Sequence, residues 1–230
     1  DPRRISVTGS LKHAFRGATD GKERDNGEVD LPSARKQGRQ VLVVGSTHRG
    51  EEEILLDVFL FLKTGFPDLL LVLAPRHPQR FTEVERMLQK RNLRYEKKSQ
   101  MNGREGSSAD AIFLDTLGDL PAFYSVADVA FIGGSLVDAG GHNLMEPARF
   151  GKPVLFGPYM TNFADVAKEM KRKGGGVEVH GREDLIREIS ALLTDRGRAE
   201  RMGRIAYSVV EGDRGVMDRS IALVSRYLYP

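Results

Sequence analysis

The stretch Gly133–His142 holds four glycines and runs directly into Asn143-Leu144-Met145-Glu146-Pro147. The apolar run Val129–Ile132 precedes it, so the local order is strand, glycine turn, helix. Backbone N–H groups in such a turn are left unpaired, and with the positive end of the following helix they suit an anion such as a phosphate. Gly140 and Gly141 would let backbone approach that anion, and the Asn143 side chain would add a donor. The same glycines also fit a tight turn that needs positive φ and nothing more. Glu146, in the first helical turn, is placed to accept hydrogen bonds from sugar hydroxyls. It also stands three residues after Asn143, which is the spacing of a capping box. Both readings of Glu146 stay open on residue chemistry. Together the motif reads as a nucleotide-sugar cradle.

Three further polar clusters follow apolar runs. Ser46-Thr47-His48 follows Val41–Val44, and Ser46 and His48 are its candidates for function. Arg76 lies between Pro75 and Pro78, a rigid frame for a guanidinium that grips a phosphate or a pyrimidine edge. Asp115-Thr116 follows Ala111–Leu114. The acidic run Glu51-Glu52-Glu53 suits the head of a helix through its dipole, a structural role. Several chemistries drop out. Gly45–Gly50 lacks the Gly-Lys-Ser/Thr ending of a P-loop, and no G-x-G-x-x-G follows the first strands. No H-E-x-x-H or histidine cluster argues for a metal, and no G-x-S-x-G elbow is present. Cysteine is absent, which removes disulfides, thiolate catalysis and cysteine–zinc sites.

The elements that must position these residues are legible as alternating periods. Apolar runs at Val41–Val44, Leu69–Ala74, Ala111–Leu114, Val129–Ile132, Val154–Phe156 and Val177–Val179 predict strands. Helical periods fall at Glu51–Leu62, Phe81–Arg91, Leu120–Ser125 and Phe163–Lys173, the last ended by Gly174-Gly175-Gly176. After Gly181 the pattern is helical to the end, with breaks expected near Gly197 and Gly212. Short buried strands alternating with helices imply an α/β class: a Rossmann-like, doubly wound parallel sheet, with extra C-terminal helices. Ligands of such sheets bind at the carboxyl ends of the strands, near the switch in strand order. All four polar clusters fall at that end.

The 230 residues suit one domain spanning 1–230. A polar stretch at 16–39, poor in apolar residues, is expected to be a mobile insertion, and 102–108 is a second interruption. The formal net charge of +3 mixes both signs and reads as solubility, though it also suits a face near anionic lipid. Trp is absent and no basic stripe is interleaved with aromatics, so nucleic acid is not an expected partner. No apolar run approaches the roughly 18 residues of a membrane span. The start Asp-Pro-Arg-Arg suggests a piece of a longer protein or a processed one.

As an ordered set, the motifs resemble bacterial 3-deoxy-D-manno-octulosonic acid (Kdo) transferases. The set is Thr8-Gly9-Ser10-Leu11-Lys12, Ser46-Thr47-His48-Arg49-Gly50-Glu51-Glu52, Pro75-Arg76-His77-Pro78-Gln79-Arg80-Phe81, Gly133-Gly134-Ser135-Leu136-Val137, Gly140 through Pro147, and Gly157-Pro158. The resemblance implies a two-domain GT-B glycosyltransferase that inverts the anomeric centre and needs neither metal nor cofactor. It implies CMP-Kdo as the donor substrate and the lipid A precursor as acceptor, in lipopolysaccharide biosynthesis. The place implied is the cytoplasmic face of the inner membrane. This chain would be the C-terminal, donor-binding half, without the acceptor domain, its base or its membrane anchor, and inactive as a transferase by itself. The segment Asp218–Tyr229 would pack back on that other half. Arg76, Asn143 and Glu146 match the family's CMP-binding positions, and His48 and Lys12 its site-lining ones. Ser10 departs from the family's usual Asn.

Overall fold

The computed structural model describes residues 38–101 and 108–228; for 212–220 and 226–228 the backbone alone is described. Among the described residues, seven strands form one parallel sheet: β1 (Val41–Thr47), β2 (Leu70–Pro75), β3 (Tyr95–Lys97), β4 (Ala111–Phe113), β5 (Val129–Ile132), β6 (Val154–Phe156) and β7 (Gly176–Glu178). Their spatial order is β3-β4-β2-β1-β5-β6-β7, so the chain reverses its direction of growth between β1 and β5. The helices are α1 (Glu51–Leu62), α2 (Phe81–Lys90), α3 (Leu120–Val126), α4 (Met145–Ala148), α5 (Ala164–Lys173), α6 (Arg182–Thr194) and α7 (Arg196–Leu228).

Successive side chains of a strand point to opposite faces, and the core divides accordingly. Val41, Val43, Val72, Ala130, Ile132 and Phe156 meet Phe123, Tyr124, Met145, Val166, Met170 and Ala206 from α3, α4, α5 and α7. Leu42, Val44, Leu71, Leu73, Phe131 and Leu155 meet Leu55, Phe59, Leu62, Leu88, Ile189 and Leu192 from α1, α2 and α6. Each fully buried large side chain contributes about 1.5–3 kcal/mol by transfer from water. Both faces are therefore dry, and the strand ends are where polar chemistry can sit.

The predicted strands and helices stand within a residue or so of their expected limits, except β1, which runs three residues beyond Val44 to Thr47. Three differences have physical causes. β3 escaped prediction because Tyr95-Glu96-Lys97 is a half-buried edge without an apolar alternation. The last helix continues through Gly212 to Leu228 rather than breaking there. An interior glycine costs about 1 kcal/mol, which does not by itself break a helix. The break near Gly197 falls at Asp195, where α6 ends. Gly174 ends α5 as expected, at φ 83° with its N–H on Met170 O. Of the polar insertion at 16–39, residues 16–37 lie outside the described residues, as do Thr8–Lys12 and most of 102–108. Arg39 is anchored, its guanidinium donating to Asp68 O and Ala109 O at 2.9 Å each.

Asp110, before β4, pins three segments. It accepts from Lys63 Nζ at 2.8 Å and from Arg94 Nε and Nη2 at 3.0 and 3.1 Å. Arg94's hydrogen bonds, then Lys63, outweigh burial and hold its carboxyl down at about 2. A depressed carboxyl contributes stability above its unfolded pKa of about 3.9 and loses it as pH falls toward 2. Arg94 is 66% exposed, so solvent screening trims the contribution to about 1–2 kcal/mol. Urea unfolding at about pH 5 and about pH 2.5 checks this: Asp110→Asn is expected to reduce the drop between them by that amount. An unchanged drop would contradict it.

Candidate functional site

The site is built where β1 and β5 run side by side. Their end loops touch backbone to backbone: Gly133 N–H donates to Gly45 O at 2.7 Å. A Cβ on Gly133 would lie 2.3 Å from Ser46 O and 2.6 Å from Thr47 Cα, so no larger residue fits there. Ser46 holds φ 57°, the left-handed region that a non-glycine residue enters at a cost of order 1–2 kcal/mol. The β2 loop joins on the other side, through Arg76 N–H to Thr47 O at 3.0 Å. Its frame is held by Arg80, whose guanidinium pairs with the fully buried Glu52 at 2.5 and 3.2 Å. The Arg76 side chain is exposed on this rim and makes no ion pair among the described residues.

Three imidazoles from three loops converge here. His48 stacks on His142 with ring centroids 5.0 Å apart and an Nε2–Nε2 distance of 2.8 Å. One of the two nitrogens must carry the hydrogen and the other accept it. His77 meets His48 edge-on at 5.1 Å. Burial, then the neighbouring His77, lowers the pKa of His48; Glu52 opposes this, while Arg80 and Arg76 add to it. The lowered pKa favours the neutral imidazole, which suits a single hydrogen held between His48 and His142.

The glycine turn departs from its expected state. The N–H groups of Gly134, Ser135 and Leu136 do not face an open ligand position; they donate to the carboxylate of Glu51 at 2.7, 3.0 and 2.9 Å. The same carboxylate accepts from His48 N–H at 2.8 Å. Glu51 is wholly buried. Burial raises its pKa, and the four backbone donors pull it back toward the charged form. The acidic run stands in the first turn of α1 as expected, and Glu51 in addition fills a nest of amides from inside. The sequence carried one signal for it. Three consecutive helical positions point in different directions, and here Glu51 and Glu52 point inward.

Gly140 and Gly141 take φ 83° and 71°, and a Cβ on either would strike Asn162 or Met160. The turn requirement is real at both. Gly141 N–H donates to Gly134 O at 2.7 Å, closing the turn on itself. The helix that follows, α4, is a single turn of four residues, so its dipole is smaller than the motif implied. Neither residue forms the expected capping box in full. Asn143 Oδ1 accepts from Met145 N–H at 3.1 Å, whereas Glu146 Oε1 accepts from the Asn143 side chain at 3.2 Å. Beneath them lies Tyr124, fully buried; burial, then the Glu146 charge, raises its pKa well above the ordinary value. Asn143 and Glu146 thus form one side-chain pair on the rim beside the switch point.

Ser46, His48, Arg76, Gly140, Gly141, Asn143 and Glu146 are gathered at this end of the sheet. Lys12 lies outside the described residues. Asp115 and Thr116 are at the same end but turned to the β3 edge: Asp115 accepts from Ser99 N–H and Oγ at 2.9 and 2.6 Å, and Thr116 donates to Asp119. Among the described residues, no three His, Asp or Glu side chains are grouped to hold a metal ion. A groove of about 470 Å³ opens at the opposite, amino end of the strands, between Gln40, Asp128, Lys152 and Arg196, away from all these residues.

A doubly wound parallel sheet with its polar rim at the switch point presents a ligand site at the carboxyl ends of its strands. The family model of glycosyl transferases group 1 matches residues 34–209, and the chain belongs to that family. Within it, the chain is similar to a 3-deoxy-D-manno-octulosonic acid transferase of Haemophilus influenzae. The two are 35% identical over 227 residues, 98% of this chain and 52% of that protein. The chain is also similar to a crystal structure of the C-terminal CMP-Kdo binding domain of WaaA from Acinetobacter baumannii. There the TM-score is 0.70 with 29% identity, over 75% of this chain and 89% of that one. A putative UDP-N-acetylglucosamine 2-epimerase from Listeria monocytogenes shares the fold alone, at TM-score 0.63 and 19% identity, over 99% of this chain and 55% of that one. The chain spans about half the length of the Haemophilus relative and of a Bordetella pertussis relative it also matches. No described helix is long and apolar enough to cross a membrane.

Proposed function

We propose that this chain is the donor-binding half of a Kdo transferase and that it binds CMP-Kdo at the carboxyl ends of β1, β2 and β5. The observation that carries the reading is the Asn143–Glu146 pair on the rim beside the switch point, in a chain similar to a domain named for CMP-Kdo binding. In the longer protein, Kdo would pass to the lipid A precursor at the cytoplasmic face of the inner membrane, in lipopolysaccharide synthesis, without metal.

The residues divide the work. The Gly140–Asn143 stretch faces the phosphate, since the amides of Gly134–Leu136 already serve Glu51. Asn143 has one amide hydrogen for Glu146 and a second for the ligand. Glu146 takes the ribose hydroxyls, and Arg76 the cytosine edge or the phosphate. Fixed donors around the phosphate stabilise CMP as the leaving group. Ser46 and His48 line the sugar side; the other half of the enzyme brings the acceptor and its base.

Calorimetric titration of the chain with CMP and with UDP tests this. Binding of CMP with a clear preference over UDP is the expected result, together with a rise in Tm at millimolar CMP. A preference for UDP would favour a UDP-sugar transferase or epimerase, and no response to either a non-catalytic module. Glu146→Ala is expected to weaken CMP by about 1.5–3 kcal/mol, roughly 10- to 150-fold, through loss of a charged hydrogen bond. A fall in stability with unchanged affinity would instead make the Asn143–Glu146 pair a helix-start device.

A further inference from the structure

We propose that Glu51 is a positioning residue of the donor site: its carboxylate holds the β1 and β5 loops at one fixed spacing and so sets both the His48–His142 pair and the Gly140–Asn143 stretch. The inference rests on the CMP-Kdo reading for its ligand and on the geometry alone for the histidines.

Two loops that are far apart in sequence share this one anion. Oε2 takes the N–H groups of His48 and Gly134, and Oε1 those of Ser135 and Leu136, all within 3.0 Å. Buried hydrogen bonds to a charged group are stronger than neutral ones, and removing the acceptor strands every donor at once. Only a carboxylate offers two equivalent acceptors and no hydrogen. Glutamine would turn its NH₂ against two backbone donors, and aspartate is one methylene too short to reach across.

The clamp is joined to the ligand residues by short paths. Gly134 lies directly under the rings, since a Cβ there would be 3.1 Å from His142 and 3.2 Å from His48. Gly134 O accepts from Gly141 N–H at 2.7 Å, one residue before His142 and two before Asn143. His48 is tied by its own N–H. Any shift of Gly134 therefore moves the ring pair and the phosphate stretch together. The internal anion also fills the first half of the glycine turn, which leaves the ligand's phosphate the second half.

Glu51→Gln, Glu51→Asp and Glu51→Ala in this chain test the assignment, each compared with the unmodified protein under conditions where circular dichroism shows it folded. Ring ¹⁵N chemical shifts of His48 and His142 read the pairing, and CMP titration reads the site. The expected result is loss of the paired donor–acceptor ring pattern in Glu51→Gln, with CMP affinity down about tenfold or more. Acetate is expected to restore the ring pattern in Glu51→Ala by refilling the nest. Folded variants that keep the native ring shifts and CMP affinity would overturn the proposal and leave Glu51 a stability residue alone. Should no variant fold, the unmodified chain decides: CMP is expected to shift the His48 and His142 ring nitrogens together with the Gly134–Leu136 amides, and rings that respond without those amides would overturn it. Failure of the unmodified chain to bind CMP would sink the donor reading, while the ring pattern in the variants still decides the role of Glu51.

Discussion

Arg80→Ala is expected to destabilise the chain by about 3–5 kcal/mol, the cost of stranding a buried charge. Glu52, on the first turn of α1, is 0% exposed, and Arg80 is its ion-pair partner, bidentate at 2.5 and 3.2 Å. Burial alone would lower the pKa of the guanidinium; the hydrogen bonds and charge of Glu52, then Glu83, reverse that and raise it. The pair is closed on itself in the fold, and alanine leaves the buried carboxylate without its guanidinium partner. Urea unfolding measures the loss directly as a lower midpoint at constant m. The double variant Glu52→Leu/Arg80→Met removes both charges at similar volume and is expected to recover most of the loss, because a buried ion pair repays its desolvation poorly. A loss below about 1 kcal/mol in Arg80→Ala would contradict the buried-charge account. The same substitution also frees the loop that carries Arg76 and His77, so weaker CMP binding should accompany it.

Gly133→Ala is the second large effect, and it acts on the backbone rather than on a charge. Its Cβ would fall 2.3 Å from Ser46 O and 2.5 Å from Ser46 C, atoms that belong to a strand end and cannot swing aside. The β1 and β5 loops must separate, and Ser46 is already in the left-handed region. Overpacking of this kind costs about 1–3 kcal/mol, and more where backbone is the obstacle. The separation also pulls Gly134 from Glu51, so CMP affinity is expected to fall together with stability. Gly174→Ala supplies the contrast. Gly174 also has positive φ, at 83°, yet nothing lies within 4 Å of its would-be Cβ. Its cost should stay near 1–2 kcal/mol, the local price of a left-handed alanine, with CMP binding untouched. Equal losses of affinity in the two variants would argue against a specific contact between the site loops.

Strands and helices were readable because hydrophobic period is a local property. Val129–Ile132 and Val154–Phe156 are four and three wholly buried residues between turn signals, and they stand where the pattern put them. The edge strand β3 was not readable, since a half-exposed Tyr-Glu-Lys buries too little to leave a period. The rule that places ligands at strand ends gathers Ser46, His48, Arg76 and the glycine turn into one region from the sequence alone. Motif order carried the resemblance to Kdo transferases as well, which the similarity to the Haemophilus influenzae enzyme and to the WaaA domain bears out.

The roles inside that region were a different matter. The amino-acid sequence by itself determined the α/β class, the strand ends that carry polar residues and the family. Tertiary structure alone decided that Glu51, and not a ligand, fills the amides of Gly134–Leu136, residues 83 to 85 positions away. It alone paired His48 with His142 across 94 residues and Arg80 with Glu52 across 28. The reason is physical. Periodicity and turn chemistry act between near neighbours along the chain, whereas the partner of a buried charge is set by which strand lies beside which, and here β1 lies beside β5.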